Sequence, residues 1–287
     1  MIRSLAVALG LALALPAGAE TPASSLFGGM EAPTGGAAQA IGFYSRGCAT
    51  GLVPLPETGP TWQAMRLSRN RNWGQPQMVA FLQQLSVAAT KMGWAGLYIG
   101  DIAQPRGGPA PSGHASHQTG LDADIWLRMP ETLRLSPAAR EDLPFISVLR
   151  DRRTVNAYWT PRHRALVQSA AMDPRVDRIF LNAAIKAEMC RTATPADTAW
   201  LQKIRPAPGH DEHMHIRLRC PAGSRTCTPQ TPSVAELSQG GSGCDASLAA
   251  WLEDRPSAEP SAPARTHPRA FALSDLPAQC SAVLRAR

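Results

Sequence analysis

The sequence predicts an α+β fold, a single compact domain (20–287) in which helices pack against a small, mostly antiparallel sheet. One observation is that short segments typical of strands alternate with helical segments at unequal spacing. This irregularity does not suit a repeating βαβ array, whereas α+β domains set their helices beside an antiparallel sheet. A second observation is length, since the 268 residues beyond the first 19 suffice for one large core and contain no internal repeat.

Residues 1–19 are predicted to be a cleaved signal peptide. Arg3 gives a short positive start, an apolar run covers 5–15, and Ala17-Gly18-Ala19 supplies the small residues of a cleavage site. The alternative, an N-terminal core helix, would need polar positions at helical spacing, and the run lacks them. No later segment reaches the roughly 18 apolar residues of a membrane helix. The mature chain is therefore expected to begin at Glu20 and to be exported.

The first strong helical pattern covers residues 77–92. Its apolar side chains recur at helical spacing, namely Met78, Phe81, Leu82, Leu85, Ala88, Ala89 and Met92. Residues 95–102 follow as a predicted strand.

The second half contains two Thr-Pro pairs, and each predicts a helix start because threonine caps the helix and proline fits its first turn. Thr160 begins one such helix, and Thr194 begins another that continues toward Ile204. Between them, 176–181 is predicted to be a buried strand, followed by a short helix that ends near Cys190.

Two segments of biased composition flank this region. Residues 21–36 are rich in Gly, Pro and Ser and are predicted to be a loosely ordered arm. Residues 255–268, dominated by Pro, Ser and Ala, are predicted to be an extended connector. Cys280 lies beyond the connector, so a disulfide could tie the tail back to the body.

The chain has six cysteines: Cys48, Cys190, Cys220, Cys227, Cys244 and Cys280. An even number in an exported protein predicts a disulfide framework, with fifteen possible pairings. Cys220 and Cys227 bracket a short loop and are the easiest pair to close. Metal ligation by cysteine is the alternative, but no Cys-x-x-Cys pair is present.

The formal net charge is +7, or +6 without Arg3, which suits an acidic polymer as partner. The sequence contains no nucleic-acid-binding motif. In an exported protein, a carboxylate-rich cell-wall polymer is therefore the better match.

Two predicted strands carry the candidate metal-binding and catalytic residues. Residues 213–219 alternate polar and apolar side chains strictly, which places His213 and His215 on one face and the apolar side chains in the core. In 121–127, Asp122 and Asp124 likewise share a face.

His117 precedes Asp124 by seven positions, an odd number, so on one regular strand the two would point in opposite directions. His117 must therefore lie in the preceding loop, where Gly120 allows the bend.

Five of the seven histidines (114, 117, 210, 213 and 215) fall in two short segments. Imidazoles with a carboxylate are the ligands that a catalytic zinc takes in three positions, leaving the fourth for water. His163, on a helix, and His267, in the tail, are interpreted as solvated residues. The chain has neither a His-Glu-x-x-His helix nor a Gly-x-Ser-x-Gly elbow, which argues against thermolysin-like and serine hydrolase sites.

Three motifs carry a family resemblance: Met65-Arg66-Leu67-Ser68-Arg69-Asn70-Arg71-Asn72-Trp73-Gly74, Ser116-His117-Gln118-Thr119-Gly120-Leu121-Asp122-Ala123-Asp124 and Gly209-His210-Asp211-Glu212-His213-Met214-His215. Together they resemble the penicillin-insensitive murein endopeptidases, periplasmic zinc peptidases related in fold to lysostaphin and the D-alanyl-D-alanine metallopeptidases. The resemblance covers roughly 47–280. It implies one zinc ion (Zn²⁺) on His117, Asp124 and His215, and hydrolysis of the D-alanyl–meso-diaminopimelyl cross-bridge of peptidoglycan.

The resemblance also implies roles for the remaining histidines. His213 would assist catalysis as a base or by stabilising the oxyanion, and His210 would be a further active-site histidine. Some members have additional metal contacts, and His114 and Asp151 match two of those positions. Thr154 stands at the third, so a second zinc site looks incomplete.

The family's cysteines match as three pairs: Cys48 with Cys280, Cys190 with Cys244, and Cys220 with Cys227. The resemblance therefore implies a domain held by three disulfides.

Several alternatives remain open. A protein of the same fold could be a D-alanyl-D-alanine carboxypeptidase or another stem-peptide hydrolase, or a non-catalytic peptidoglycan-binding regulator. The complete ligand set favours an enzyme. Arg66, Arg69 and Arg71 could contact substrate carboxylates or form a structural ribbon that packs Trp73, and Asp122 and Asp211 could orient imidazoles or be solvated turn residues.

Overall fold

A computed structural model describes residues 20–253 and 266–286. The predicted signal peptide, 1–19, and most of the predicted connector, 255–268, lie outside these residues. The helices of the described part are α1 (Ala23–Gly28), α2 (Pro76–Lys91), α3 (Pro137–Asp142), α4 (Pro161–Met172), α5 (Ala183–Arg191), α6 (Thr198–Leu201), α7 (Val234–Leu237), α8 (Ala246–Leu252) and α9 (Gln279–Arg285). Its strands are β1 (Gln39–Phe43), β2 (Arg46–Thr50), β3 (Val53–Pro54), β4 (Thr58–Gly59), β5 (Trp62–Ala64), β6 (Trp73–Gly74), β7 (Leu97–Ile99), β8 (Asp122–Trp126), β9 (Val176–Leu181), β10 (Ile204–Pro206) and β11 (His213–Leu218).

A seven-stranded sheet in the order β10-β9-β11-β8-β7-β5-β4 forms the centre of the domain. Within it, β10 and β9 pair in parallel, as do β7 and β5, and the other four pairings are antiparallel. Strands β1 and β2 form a separate two-stranded sheet, as do β3 and β6. This arrangement of helices and a mainly antiparallel sheet confirms the α+β prediction.

Helix α2 lies within one residue of the helix predicted for 77–92, and its apolar face supplies much of the core. Met78, Phe81, Leu82 and Leu85 belong to the same buried cluster as Ile99 of β7, Ile125 of β8 and Ile216 of β11. The helix thus packs against the strands that carry the chemistry, and holds them in place. Only Leu97–Ile99 of the strand predicted for 95–102 is regular.

Helix α4 begins at the predicted Thr-Pro pair, but the prediction that His163 is solvated is wrong. The His163 side chain is fully buried. Its Nδ1 accepts a hydrogen bond from the Thr160 backbone N–H (3.1 Å), and its Nε2 donates to the Leu127 carbonyl (2.9 Å). With both nitrogens bonded, the ring can lie between Trp94 and Trp159, and burial lowers the pKa of His163.

The second Thr-Pro pair starts a shorter helix than predicted. A single 3-10 turn, Pro195–Asp197, leads into α6, which ends at Leu201. The chain then turns into β10, because Ile204–Pro206 pairs in parallel with β9. Strand β9 has the predicted bounds, and α5 ends one residue after Cys190.

The prediction of a loose arm at 21–36 is wrong. Helix α1 buries Ala23 and Phe27 in a cluster with Phe271 and Leu276 of the tail. The Ala23 N–H donates to the Phe271 carbonyl at 2.8 Å. The arm is ordered because its apolar partners come from the other end of the chain.

Three disulfides join Cys48 with Cys280, Cys190 with Cys244 and Cys220 with Cys227. The first fastens α9 to β2, and a buried arginine reinforces this attachment. Arg106, in the loop between β7 and β8, donates from Nη1 to the carbonyls of Val283, Leu284 and Ala286 at 2.7 to 2.9 Å. The last helix is therefore tied to two parts of the body.

None of the helices in the described residues has the length and apolar content needed to cross a membrane.

Candidate metal centre

The centre is built on two neighbouring strands. In the antiparallel register of β8 with β11, His215 lies opposite Asp124 and His213 lies opposite Trp126. Because alternate residues of a strand share a face, Asp122, Asp124, His213 and His215 all lie on one side of the sheet. The Nδ1 atom of His215 is 3.2 Å from Oδ1 of Asp124.

His117 lies in the loop before β8, and its backbone adopts the left-handed conformation, with φ of 70°. Gly120 also has a positive φ, 72°, so the bend uses both residues. The His117 N–H donates to Oδ2 of Asp122 at 3.2 Å, which fixes the loop against the strand. Nδ1 of His117 lies 2.8 Å from the Ile102 carbonyl and must carry the proton, because a carbonyl only accepts. The lone pair of Nε2 then faces Oδ1 of Asp124 at 3.4 Å.

Asp122 fixes the second imidazole. Its fully buried carboxylate accepts from Nε2 of His215 at 2.9 Å and from Nε of Arg217 at 2.7 Å. Burial alone would raise the pKa of Asp122, but the Arg217 guanidinium and the His215 hydrogen bond lower it below its usual range. The ionised carboxylate holds the proton on Nε2, so Nδ1 of His215 directs its lone pair at Asp124.

These contacts direct lone pairs and negative charge at one point. The ligand atoms of His114, His117, Asp124 and His215 all lie within 4.8 Å of one another. Two imidazole lone pairs face the Asp124 carboxylate, whose buried Oδ1 has no hydrogen-bond donor within the described part of the chain. Leaving a buried acceptor unsatisfied costs about 1–3 kcal/mol, and more if it is charged.

The electrostatic environment of His117 also fits a metal site. Burial lowers the pKa of His117, but Asp124 and, to a lesser degree, Asp122 and Asp101 raise it overall to about 9. The carboxylates thus favour positive charge at this position. A set of imidazoles and one carboxylate is the donor chemistry of zinc, so these residues fit that ion.

A second histidine group adjoins the first. His114, His210 and His213 also bring one ligand atom each within 4.8 Å of one another, and His114 belongs to both groups. His210, in the left-handed conformation, donates from Nδ1 to the Pro208 carbonyl at 2.8 Å, which leaves Nε2 as its ligand atom. Burial lowers the pKa of His210 to about 4.

His213 has an unpartnered atom close to the Asp124 carboxylate. Its buried Nε2 has no hydrogen-bond partner in residues 20–253 and 266–286 and lies 3.9 Å from Oδ1 of Asp124. Burial lowers the pKa of His213 below the usual value, so the imidazole is neutral near pH 7.

Asp151 lies apart from both histidine groups, although it was predicted as a ligand. Its carboxylate is half exposed and accepts hydrogen bonds from the N–H groups of Arg153 and Thr154 and from the Thr154 hydroxyl. It thus closes its own turn. Asp211 accepts from the Ser147 hydroxyl and does not bond an imidazole, so Asp122 alone of the two aspartates orients a histidine.

The arginines of the segment 65–74 were predicted either to contact substrate carboxylates or to have a structural role, and the structure shows both. Arg66 and Arg69 line a cleft that also includes Asp124 and His213, which suits contact with a substrate. Arg71 is buried and bonds Asp101, and Trp73 packs against the body, which suits a structural role.

Arg217 was not singled out by the sequence analysis. The alternation that placed His213 and His215 on one face also places Arg217 there, and that was the available signal.

Comparisons with known proteins agree with this geometry. A family model described as penicillin-insensitive murein endopeptidase matches residues 40–285. A protein of that name from Klebsiella pneumoniae is 40% identical over 273 residues, covering 95% of each chain. Those from Haemophilus influenzae and Yersinia enterocolitica are each 42% identical, over 82% and 88% of this chain and 81% and 87% of their own lengths. The chain belongs to the penicillin-insensitive murein endopeptidase family.

Proposed function

We propose that the protein is a periplasmic zinc endopeptidase that hydrolyses the D-alanyl–meso-diaminopimelyl cross-bridge of peptidoglycan. The observation that carries this proposal is the convergence of Nε2 of His117, Nδ1 of His215 and the Asp124 carboxylate on one point. Family membership supports the reaction class and the polymer. The three disulfides suit an oxidising compartment such as the periplasm.

Zinc held by His117, Asp124 and His215 would polarise the scissile carbonyl and lower the pKa of a water molecule to about 7. The Ile102 carbonyl and Asp122 keep the two ligand imidazoles in the tautomers that this requires. His213 presents Nε2 to the reacting centre, either to accept the proton of the attacking water or to stabilise the oxyanion. His210 lies beside His213, with ring centres 5.0 Å apart. Because its Nδ1 proton is held by the Pro208 carbonyl, its Nε2 is an acceptor for a hydrogen bond from the attacking water or the substrate.

This mechanism explains insensitivity to penicillin. Penicillin acts by acylating a serine nucleophile. Hydrolysis by an activated water uses no such nucleophile, so the antibiotic has no group to modify.

The direct test is to incubate purified, zinc-loaded protein with a defined cross-linked muropeptide dimer and identify the products by mass spectrometry. Two monomers cut between D-alanine and diaminopimelate are expected. Release of a terminal D-alanine would instead indicate a carboxypeptidase. Binding without hydrolysis by fully loaded protein would indicate a regulator.

We expect His213→Ala to retain zinc but to lower kcat by about 100- to 10,000-fold, the usual contribution of acid–base catalysis. Metal content by elemental analysis and turnover of the dimer test this. His267→Ala serves as the control, because His267 is an exposed residue of the tail. Near wild-type turnover would show that His213 has no catalytic role, and loss of zinc would show that His213 is a metal ligand.

We expect Asp122→Asn to weaken zinc affinity by about 10- to 100-fold, because the amide no longer anchors the His215 imidazole as an ionised acceptor. Stability should fall as well, since Arg217 loses its buried partner. Asp211→Asn is the matched control, and its zinc affinity in a competition titration should be unchanged. Equal zinc affinities for the two variants would show that Asp122 does not orient the ligand.

A further inference from the structure

A cleft of about 190 Å³ adjoins the histidine cluster. Its lining includes Asp124, His114 and His213 of the centre, two guanidinium groups (Arg66 and Arg69), two further carboxylates (Asp101 and Glu212) and the rings of Trp126 and Phe145. A substrate whose scissile bond lies at the candidate metal centre therefore enters a cleft that two guanidinium groups line.

Arg66 is already committed to the protein. Its Nη1 and Nη2 donate to the carbonyls of Arg140 and Leu143 at 3.2 and 2.9 Å. Its guanidinium carbon lies 5.3 Å from the ring centre of Trp126 and 5.4 Å from that of Phe145. Arg66 thus shapes the wall and has few donors left for a ligand.

Arg69 is held at the cleft by only part of its guanidinium. Its Nη1 contacts both carboxylate oxygens of Asp101, at 3.1 and 3.3 Å. Its Nη2 and Nε make no hydrogen bond to any residue in 20–253 or 266–286, and 38% of the side chain is exposed. Arg71 also bonds Asp101, at 2.8 Å, so two guanidinium groups share this one carboxylate and Asp101 does not neutralise both of them.

The backbone that carries Arg69 is firmly held. The 3-10 turn Leu67–Arg69 is flanked by Arg66 and Asn70, both in the left-handed conformation. The N–H and hydroxyl of Ser68 both donate to the Glu141 carboxylate, at 2.8 and 2.9 Å. The backbone that places Arg69 beside the cleft is therefore held, and its partly exposed guanidinium keeps planar donors of the kind that recognise a carboxylate.

We propose that Arg69 binds the carboxylate on the amine side of the scissile amide, and thereby selects diaminopimelate-linked over lysine-linked peptides. The inference rests on the proposed endopeptidase function. In diaminopimelate, the carbon that carries the acylated amino group also carries a carboxylate. In lysine, the corresponding carbon carries only hydrogen. The negative charge that distinguishes the two cross-bridges therefore lies next to the scissile nitrogen.

The test compares kcat/KM for two muropeptide dimers that differ only in having diaminopimelate or lysine at the cross-link. The wild-type protein is expected to prefer the diaminopimelate dimer by about 10- to 150-fold, the effect of a hydrogen bond to a charged group. Arg69→Gln should abolish the preference by slowing only the diaminopimelate reaction. Arg69→Lys, which keeps a point charge, should retain part of it.

Arg191→Gln is the matched control, because Arg191 also pairs with a carboxylate, that of Glu188, but lies on α5 outside the cleft. Its preference, zinc content and melting temperature should equal those of the wild type. An equal loss on both substrates in Arg69→Gln, or an unchanged preference, would overturn the inference.

Measurements on the wild-type protein alone distinguish failure of this inference from failure of the proposed function. If it cleaves both dimers equally well, Arg69 does not select and only this inference fails. If it cleaves neither, the proposed function fails as well.

Discussion

Replacing His117, Asp124 or His215 by alanine is expected to abolish hydrolysis and to weaken zinc retention by more than the roughly 100-fold that loss of an outer hydrogen-bond partner costs. Each variant removes one of the groups whose lone pairs converge within 4.8 Å. Zinc at 1,000 times its dissociation constant should stabilise the wild type by about 4 kcal/mol. The three variants should lose that zinc-dependent rise in melting temperature, which provides a readout independent of activity.

Asp151→Ala is the control, since this carboxylate bonds only within its own turn. It should keep both zinc and activity. Full zinc occupancy in all three ligand variants would show that the centre lies elsewhere.

The second large effect is expected for the Cys48–Cys280 disulfide. It closes a sequence separation of 232 residues and lies in the cluster that joins α1 to the tail. Replacing both cysteines by serine should lower the free energy of unfolding by about 5–6 kcal/mol, on loop-entropy grounds. The same change at Cys220 and Cys227, separated by only 7 residues, should cost about 2.5 kcal/mol.

Denaturant titration of the two double variants measures this difference directly. Non-reducing peptide mapping of exported material tests the pairing itself. Free thiols at Cys48 and Cys280, or equal stability losses in the two variants, would contradict the expected role of the long closure.

The sequence predicted best those features that depend on local periodicity. The strict alternation in β11 gave both the strand and the face that carries His213 and His215. Helix α2 was found because its apolar side chains repeat over 16 residues. The grouping of five histidines, with the motifs around them, indicated the residues that the structure brings together.

The wrong predictions share one physical cause: each of these features depends on a partner that is distant in the sequence. His163 was interpreted as solvated because its bond to the Leu127 carbonyl spans 36 positions. The arm at 21–36 was expected to be loose because Phe271, which covers Phe27, comes from the tail. The helix after Thr194 was predicted too long because the pairing that converts Ile204 into a strand residue comes from β9.

The anchor formed by Arg106 bears on the order in which the domain assembles. Arg106 belongs to the same loop as His114 and His117, and the acceptors of its guanidinium are carbonyls of residues 283, 284 and 286. These acceptors lie 177 to 180 positions further along the chain. The loop that supplies His117 therefore lacks this anchor until α9 has docked on the body, so the fully anchored centre requires the far end of the domain to be in place.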